Sequence, residues 1–272
     1  MSTASPVNFS ARLSPYDEIV VYSPVSKQVV VHNDGQVNTA ASQDEQRVGK
    51  TLFSLAQTVA EFFWNKFQQC GIDKKGKIPP FLIGYPDGET GFSFGLNHFE
   101  FNNLDALQPE VVAHEYMHGV VSWLNRLGRN GQQGALDESL ADVFAIVFKR
   151  LYCAKNDWKI STYRDLSESV DIRKDLKPID HEHGEEYTAN NDYGHVHDNS
   201  RFLSHAFYLI RKELGAFDPD YNISLGIWWK AFSDLKDKSF KGFAEKTIEV
   251  AYTQGLPWGD AVTKSWKAIG LI

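Results

Sequence analysis

The stretch His114-Glu115-Tyr116-Met117-His118 constrains this chain more than any other. Two imidazoles at i and i+4 lie on one face of an α-helix, one turn apart, so a helix here presents two neutral nitrogen ligands to one metal ion. Glu115 sits on the same turn, beside the side of that ion left open for a reactant. Two ligands and a general base at this spacing are the arrangement of zinc hydrolases. The competing reading is a surface helix carrying two solvated histidines. What decides between them is whether the rest of the chain supplies a third ligand.

The surrounding pattern places this segment in an α+β protein. Runs 18–22 and 28–32 are rich in β-branched residues and flank a Ser-Pro-Val-Ser-Lys turn, which predicts a hairpin. From Asp44 to Gln69 the apolar residues recur at helical spacing (Val48, Leu52, Leu55, Ala56, Val59, Phe62, Phe63), with Gly71 expected to end the helix. Residues 79–101 return to strand and turn chemistry, including a turn at Asp87-Gly88 and short strands at 91–95 and 97–101. Pro109 and Glu110 suit the first turn of a helix running to Leu127. A second helix is expected from Leu136, and amphipathic helices from Ser200 onward are broken near Phe217-Asp218-Pro219 and Gly255-Leu256-Pro257. The expected organisation is a mixed, β-rich lobe over residues 1–126, including the metal-binding helix, and a mainly helical lobe over 127–272.

Length and charge narrow the function classes. The 272 residues are enough for two lobes sharing a cleft. A net charge of −7 without a Lys/Arg block argues against a nucleic-acid partner. No apolar run approaches the roughly 18 residues a membrane-spanning helix needs. The first residues carry neither a basic flank nor an apolar segment, so no secretory signal is expected. Cys70 and Cys153 could be bridged or free, and Cys153 lies in an apolar helical pattern that favours a free thiol.

Glu138 is the best candidate for the third ligand. It lies in Gly-Ala-Leu-Asp-Glu-Ser-Leu-Ala-Asp (134–142), far enough beyond His118 for the first helix to end and a second to pack against it. Ala135, Ala141 and Ala145 permit close approach. Asp142, four residues after Glu138, shares its face and can accept the free ring N–H of a ligand histidine. A further cluster, Asp192-Tyr-Gly-His-Val-His197-Asp-Asn199, is open between a loop, a second metal site and a catalytic acid, with the loop favoured on its residues alone. The run His181-Glu182-His183 lacks helical spacing and reads as a solvated acidic loop.

These three blocks, in this order, resemble the thermolysin-like zinc metallopeptidases over roughly residues 18–272. The resemblance implies the family's two-lobed α+β fold, with the metal helix between the lobes, and a zinc endopeptidase acting on peptide or protein substrates. It implies one zinc held by His114, His118 and Glu138, with Glu115 as the base that activates water. Asp142 would support a ligand histidine, His197 would stabilise the oxyanion, and Asp192 would orient His197. Arg173, in Asp-Ile-Arg-Lys, resembles the substrate-positioning arginine. Val111, Ile160 and Ile172 would form a pocket for apolar side chains after the cut, and Asn199 would join the substrate-binding set.

Departures from the family pattern carry expectations of their own. The positions matching its calcium cluster read Glu110, Lys149, Asp157 and Lys159, and two lysines would repel a divalent ion, so that calcium site is expected to be absent. The family's oxyanion tyrosine has no counterpart, so either Arg129 or Tyr193 substitutes for it or that contribution is missing. Because the resemblance begins near residue 18, the family's long leader segment is not expected in this chain. A monomer is expected, exported like most of the family, with a cytoplasmic location as the alternative. The alternative function is a catalytically inactive homologue that uses the same cleft as a zinc-stabilised peptide-binding module. A zinc aminopeptidase also uses such a helix, but the spacing to Glu138 fits the endopeptidases better.

Overall fold

The computed structural model describes residues 19–84, 90–153, 155–160, 164–178 and 187–272. The expected hairpin forms: β1 (Val21–Ser23) and β2 (Gln28–Val31) are antiparallel. They join β3 (Phe81–Ile83), β4 (Gly91–Ser93) and β5 (His98–Phe101) in a five-stranded sheet of order β2-β1-β3-β5-β4. β3 is parallel to both β1 and β5, whereas β4 runs antiparallel to β5 at the sheet's edge. Of the two short strands expected at 91–95 and 97–101, β4 is therefore the one with a free edge. The Asp87-Gly88 turn and the 181–183 run lie outside the described residues.

Helix α1 (Gln43–Phe67) packs against the sheet and against the helices that follow, burying Val48, Leu52, Ala56, Val59 and Phe63, the last beside Tyr116 and Phe144. Ser42 and Glu45 start it with a reciprocal capping box. It ends at Gln68 in the left-handed conformation, three residues before the expected Gly71. The metal helix α2 (Pro109–Leu124) is buried continuously from Glu110 to Val121. A Cβ on Gly119 would meet Ile72 and Phe99 at 3.1 Å, so this position, next to His118, lets α2 lie close against β5. Tyr116 stacks on Phe99 from the same helix.

Helix α3 (Gly131–Tyr152) begins five residues before the expected Leu136 and packs against both α2 and the later helices. Ala135, Ala141 and Ala145 are fully buried, which permits the close α2–α3 contact that the metal site needs. A small hairpin of β6 (Lys159–Ile160) and β7 (Arg164–Asp165) and the one-turn α4 (Ile172–Asp175) follow. The helical lobe closes with α5 (Asp192–Leu214), α6 (Asn222–Ser233), α7 (Phe240–Gln254) and α8 (Leu256–Ala268). Trp228 and Trp266 stack at its centre. Both cysteines are half-buried thiols and are not bridged to each other. Among the described residues no helix is long and apolar enough to cross a membrane.

Candidate metal centre and peptide cleft

Helix geometry brings His114 and His118 to the same face of α2, and α3 carries Glu138 up to them. The two Nε2 atoms are 3.0 Å apart. Glu138 reaches both: Oε2 lies 3.5 Å from His114 Nε2, and Oε1 lies 3.4 Å from His118 Nε2. A tetrahedral zinc with ligand bonds near 2.0–2.1 Å has ligand–ligand edges of roughly 3.3 Å, so the three donors form one face of such a polyhedron.

The other nitrogen of each ring explains why a cation belongs there. His118 Nδ1 donates to Asp137 Oδ1 at 2.9 Å, and His114 Nδ1 faces Asp142 Oδ1 at 3.1 Å. With carboxylates behind both rings, the Nδ1 atoms hold the hydrogens and the Nε2 atoms present bare lone pairs to each other. Two lone pairs at that distance repel unless a cation lies between them. Glu138 Oε2, buried and without a hydrogen-bond partner, adds a third unsatisfied acceptor. The residues fit zinc.

The same charges act on protons when no metal is bound. Burial opposes charge on His118, but Asp137 and Glu138 outweigh it and push the imidazole up to about 10. His114 is likewise raised, against its burial, by Asp142 and Glu138. Burial works to raise Glu138, yet the neighbouring histidines hold it well below the usual carboxylate range. Burial wins at Asp137, whose carboxyl is raised.

Around this centre lies a cleft of about 1220 Å³, walled by Thr90–Phe94 of the sheet edge, the α2 face, α3, β6–β7 and the start of α5. Glu115 lines it beside the ligands. Residues 192–195 all adopt left-handed backbone angles before α5 continues regularly. Gly194, with φ +94°, permits this, since a Cβ there would meet Tyr187 at 2.8 Å. The turn folds Asp192 back onto His197: Oδ2 accepts the His197 backbone N–H at 2.9 Å and Oδ1 accepts the ring Nδ1–H at 2.7 Å. Nε2 is thereby aimed at the centre, 3.3 Å from Glu138 Oε2.

Residues 126–271 match the family described as "Thermolysin metallopeptidase, alpha-helical domain", which is more than half of the chain. This chain belongs to the thermolysin-like zinc metallopeptidases. It is 28% identical over 249 residues to an extracellular metalloprotease of Pectobacterium carotovorum, covering 80% of this chain and 71% of that protein. It is 26% identical over 251 residues to neutral protease NprE of Bacillus pumilus, covering 86% and 80% respectively. The precursor of protealysin from Serratia proteamaculans superposes with a TM-score of 0.76 over 93% of this chain and 87% of that one. At 21% identity that likeness speaks to the fold, which is the expected two-lobed α+β architecture.

Within this family fold the expected residues fall into two groups. His114, Glu115, His118, Glu138, His197, Asp192, Val111 and Ile160 all line the cleft, and Asp142 lies directly behind His114. Arg129 and Tyr193 line it too, with the Arg129 guanidinium 4.0 Å above the Phe94 ring. Three others are elsewhere. Arg173 is held by Asp171, the cap of α4, at 2.8 Å, and lies against Gly270 near the end of the chain. Ile172 is tied by its N–H to the Ile269 carbonyl. Asn199 is buried, accepting from the Lys177 N–H and donating to the Gly194 carbonyl. The segment 192–199, read from its residues alone as a loop, is a tight turn running into a helix.

Two members of the site escaped the sequence. Arg164 is opposite Ile160 in the β6–β7 hairpin and places Nε and Nη2 at 3.0 and 2.6 Å from Asp142 Oδ1. Its guanidinium also comes within 3.6 Å of Glu138. Asp137 carries no signal of its own in the sequence, because its neighbour Glu138 accounts for the motif. The i, i+5 step to Asp142 gave no hint that both carboxylates back a ligand ring.

Proposed function

We propose that this protein is a zinc-dependent endopeptidase that hydrolyses internal bonds of polypeptides lying in the cleft. One observation carries the reading: three donors with bare, converging lone pairs share a cleft with Glu115, whose carboxylate has no ion-pair partner among the described residues. When bound, zinc supplies a Lewis acid that polarises the scissile carbonyl and lowers the pKa of water.

The chain's own residues do the rest. Glu115 takes the proton of the attacking water and passes it to the leaving amine. His197, oriented by Asp192, donates from Nε2 to the oxyanion as the tetrahedral state forms. Arg164 takes the positioning role that the motif gave to Arg173, with two of its donors anchored on Asp142 and the remainder facing the cleft. β4 has one free edge along the cleft, and an extended peptide can add to it as a further strand. Val111 supplies an apolar wall one turn before Glu115.

The absence of the family's calcium cluster is part of the proposal. Lys149 Nζ is supported in that role by Asp157 Oδ1 at 2.7 Å, the Lys159 carbonyl at 2.6 Å and Glu110 Oε1 at 3.4 Å, so its ammonium stands among the oxygens a cation would use. Lys159 contributes its carbonyl there, while its own ammonium is 3.8 Å from Asp165.

Glu115→Gln should lower turnover of a quenched-peptide library by about 10²–10⁴-fold with zinc content unchanged. Retention of most activity by that variant, or peptide binding by an inert zinc-loaded wild type, would replace this reading with the binding-module alternative.

A further inference from the structure

We infer that the cleft contains a subsite for a cationic side chain, Lys or Arg, with Asp105 as its selecting residue. The inference rests on the endopeptidase reading and adds a substrate class to it. The expected pocket was apolar, but its wall is mixed. Thr90, Asn102 and Asp105 line the same cleft as Val111 and Ile160.

Asp105 belongs to the single 3-10 turn, Asp105–Leu107, that leads into α2. It is only 7% exposed, yet its carboxylate meets neutral donors alone. Oδ2 accepts from Thr90 Oγ1 at 2.7 Å and Asn102 Nδ2 at 2.6 Å, and Oδ1 accepts from Gln108 Nε2 at 3.2 Å. Among the described residues no Lys, Arg or His pairs with it. Buried carboxylates are normally paired with a cation. A carboxylate has about four acceptor positions, so three neutral donors leave one direction free.

The position suits a residue next to the scissile bond. Val111, His114, Glu115 and His118 follow the i, i+3, i+4, i+7 spacing of one helix face. Val111 therefore stands one turn from Glu115, and the Asp105 turn is packed at that end of α2. An apolar wall ending at a carboxylate matches a side chain with a long apolar stem and a charged head. The other carboxylate of this wall strengthens the match. Glu100 pairs in register with Gly91 of the edge strand, where a Cβ would meet nothing within 4 Å, so the edge is open beside it. Among the described residues its one ionic neighbour is His98. By contrast, three further carboxylates of the cleft lining are engaged: Asp192 by His197, Glu168 by Arg201 and Asp137 by His118.

The test uses the zinc-loaded protein and quenched peptides that differ only by Lys, Arg, norleucine or Glu at the residues flanking one cut. Wild type should favour Lys or Arg over norleucine in kcat/KM by about tenfold or more at one of these positions, as expected for a hydrogen bond to a charged group. Asp105→Asn, which keeps size and shape, should lower that ratio at least about tenfold. Because the ratio is taken within one preparation, partial misfolding cancels from it. A wild type indifferent to charge, or an unchanged ratio in Asp105→Asn, overturns the proposal. Loss of the ratio in Glu100→Gln but not in Asp105→Asn would also overturn it, by moving the selection to Glu100. Binding of the same peptides to Glu115→Gln, read by fluorescence anisotropy, separates the two levels. Lys-selective binding without wild-type turnover would leave the subsite standing and remove the endopeptidase reading.

Discussion

The antiparallel pair α2 and α3 carries two buried acidic centres, and they solve the same electrostatic problem in opposite ways. At one, His114, His118 and Glu138 converge with no cation of their own. At the other, Glu110 in the first turn of α2 meets Lys149 in the last turn of α3, and the ammonium fills the site from within. Both groups of acceptors are costly to bury alone. The difference lies in where the compensating charge comes from. A covalently attached cation is permanent and holds structure. A site left open must recruit its cation, and a recruited metal retains a coordination position for a reactant.

The contrast can be broken at either end. The largest effect should come from His114→Ala, which removes a ligand from the open centre: zinc stoichiometry by metal analysis and peptide hydrolysis should both fall to background. Lys149→Met attacks the closed centre instead. It leaves the Glu110 carboxylate buried without its partner and should cost about 3–5 kcal/mol in urea denaturation, with zinc still bound. Added calcium should not raise the melting temperature of the wild type. Loss of zinc from Lys149→Met would show that the two centres are not independent.

A smaller effect sharpens the comparison through pH. In the metal-free protein His118 is raised to about 10, from an ordinary value of roughly 6.5. A raised histidine contributes stability that is complete below its unfolded value and is lost as pH climbs through its folded value. Chelated protein should therefore lose stability between about pH 6.5 and 10. Zinc needs the neutral rings, so its contribution should instead weaken as pH falls. Melting temperatures of the two forms should diverge as pH rises, and parallel curves would show that these imidazoles do not hold protons in the empty centre.

Much of this was legible in the chain because it is local. Helical periodicity located α1, α2 and α3 to within a few residues, and the i, i+4 spacing of His114 and His118 determined their common face. Glu138 and Asp142 could be read because they share a helix. What the chain does not spell out is where a local motif ends up in space. Arg173 sits in a plausible motif, yet Asp171, two residues away, captures it. Arg164 has no motif, and a two-residue strand delivers it to Asp142 from 22 residues away.

The sequence by itself determined the metal helix, the ligand set and the order of the catalytic blocks, since each depends on spacing along one element. Only the tertiary structure decided which carboxylate backs which imidazole, which arginine enters the cleft, and that Asp105 faces it with neutral partners. Those choices follow from how α2, α3, the sheet edge and the β6–β7 hairpin pack. Packing brings together residues whose separation along the chain carries no periodic signal.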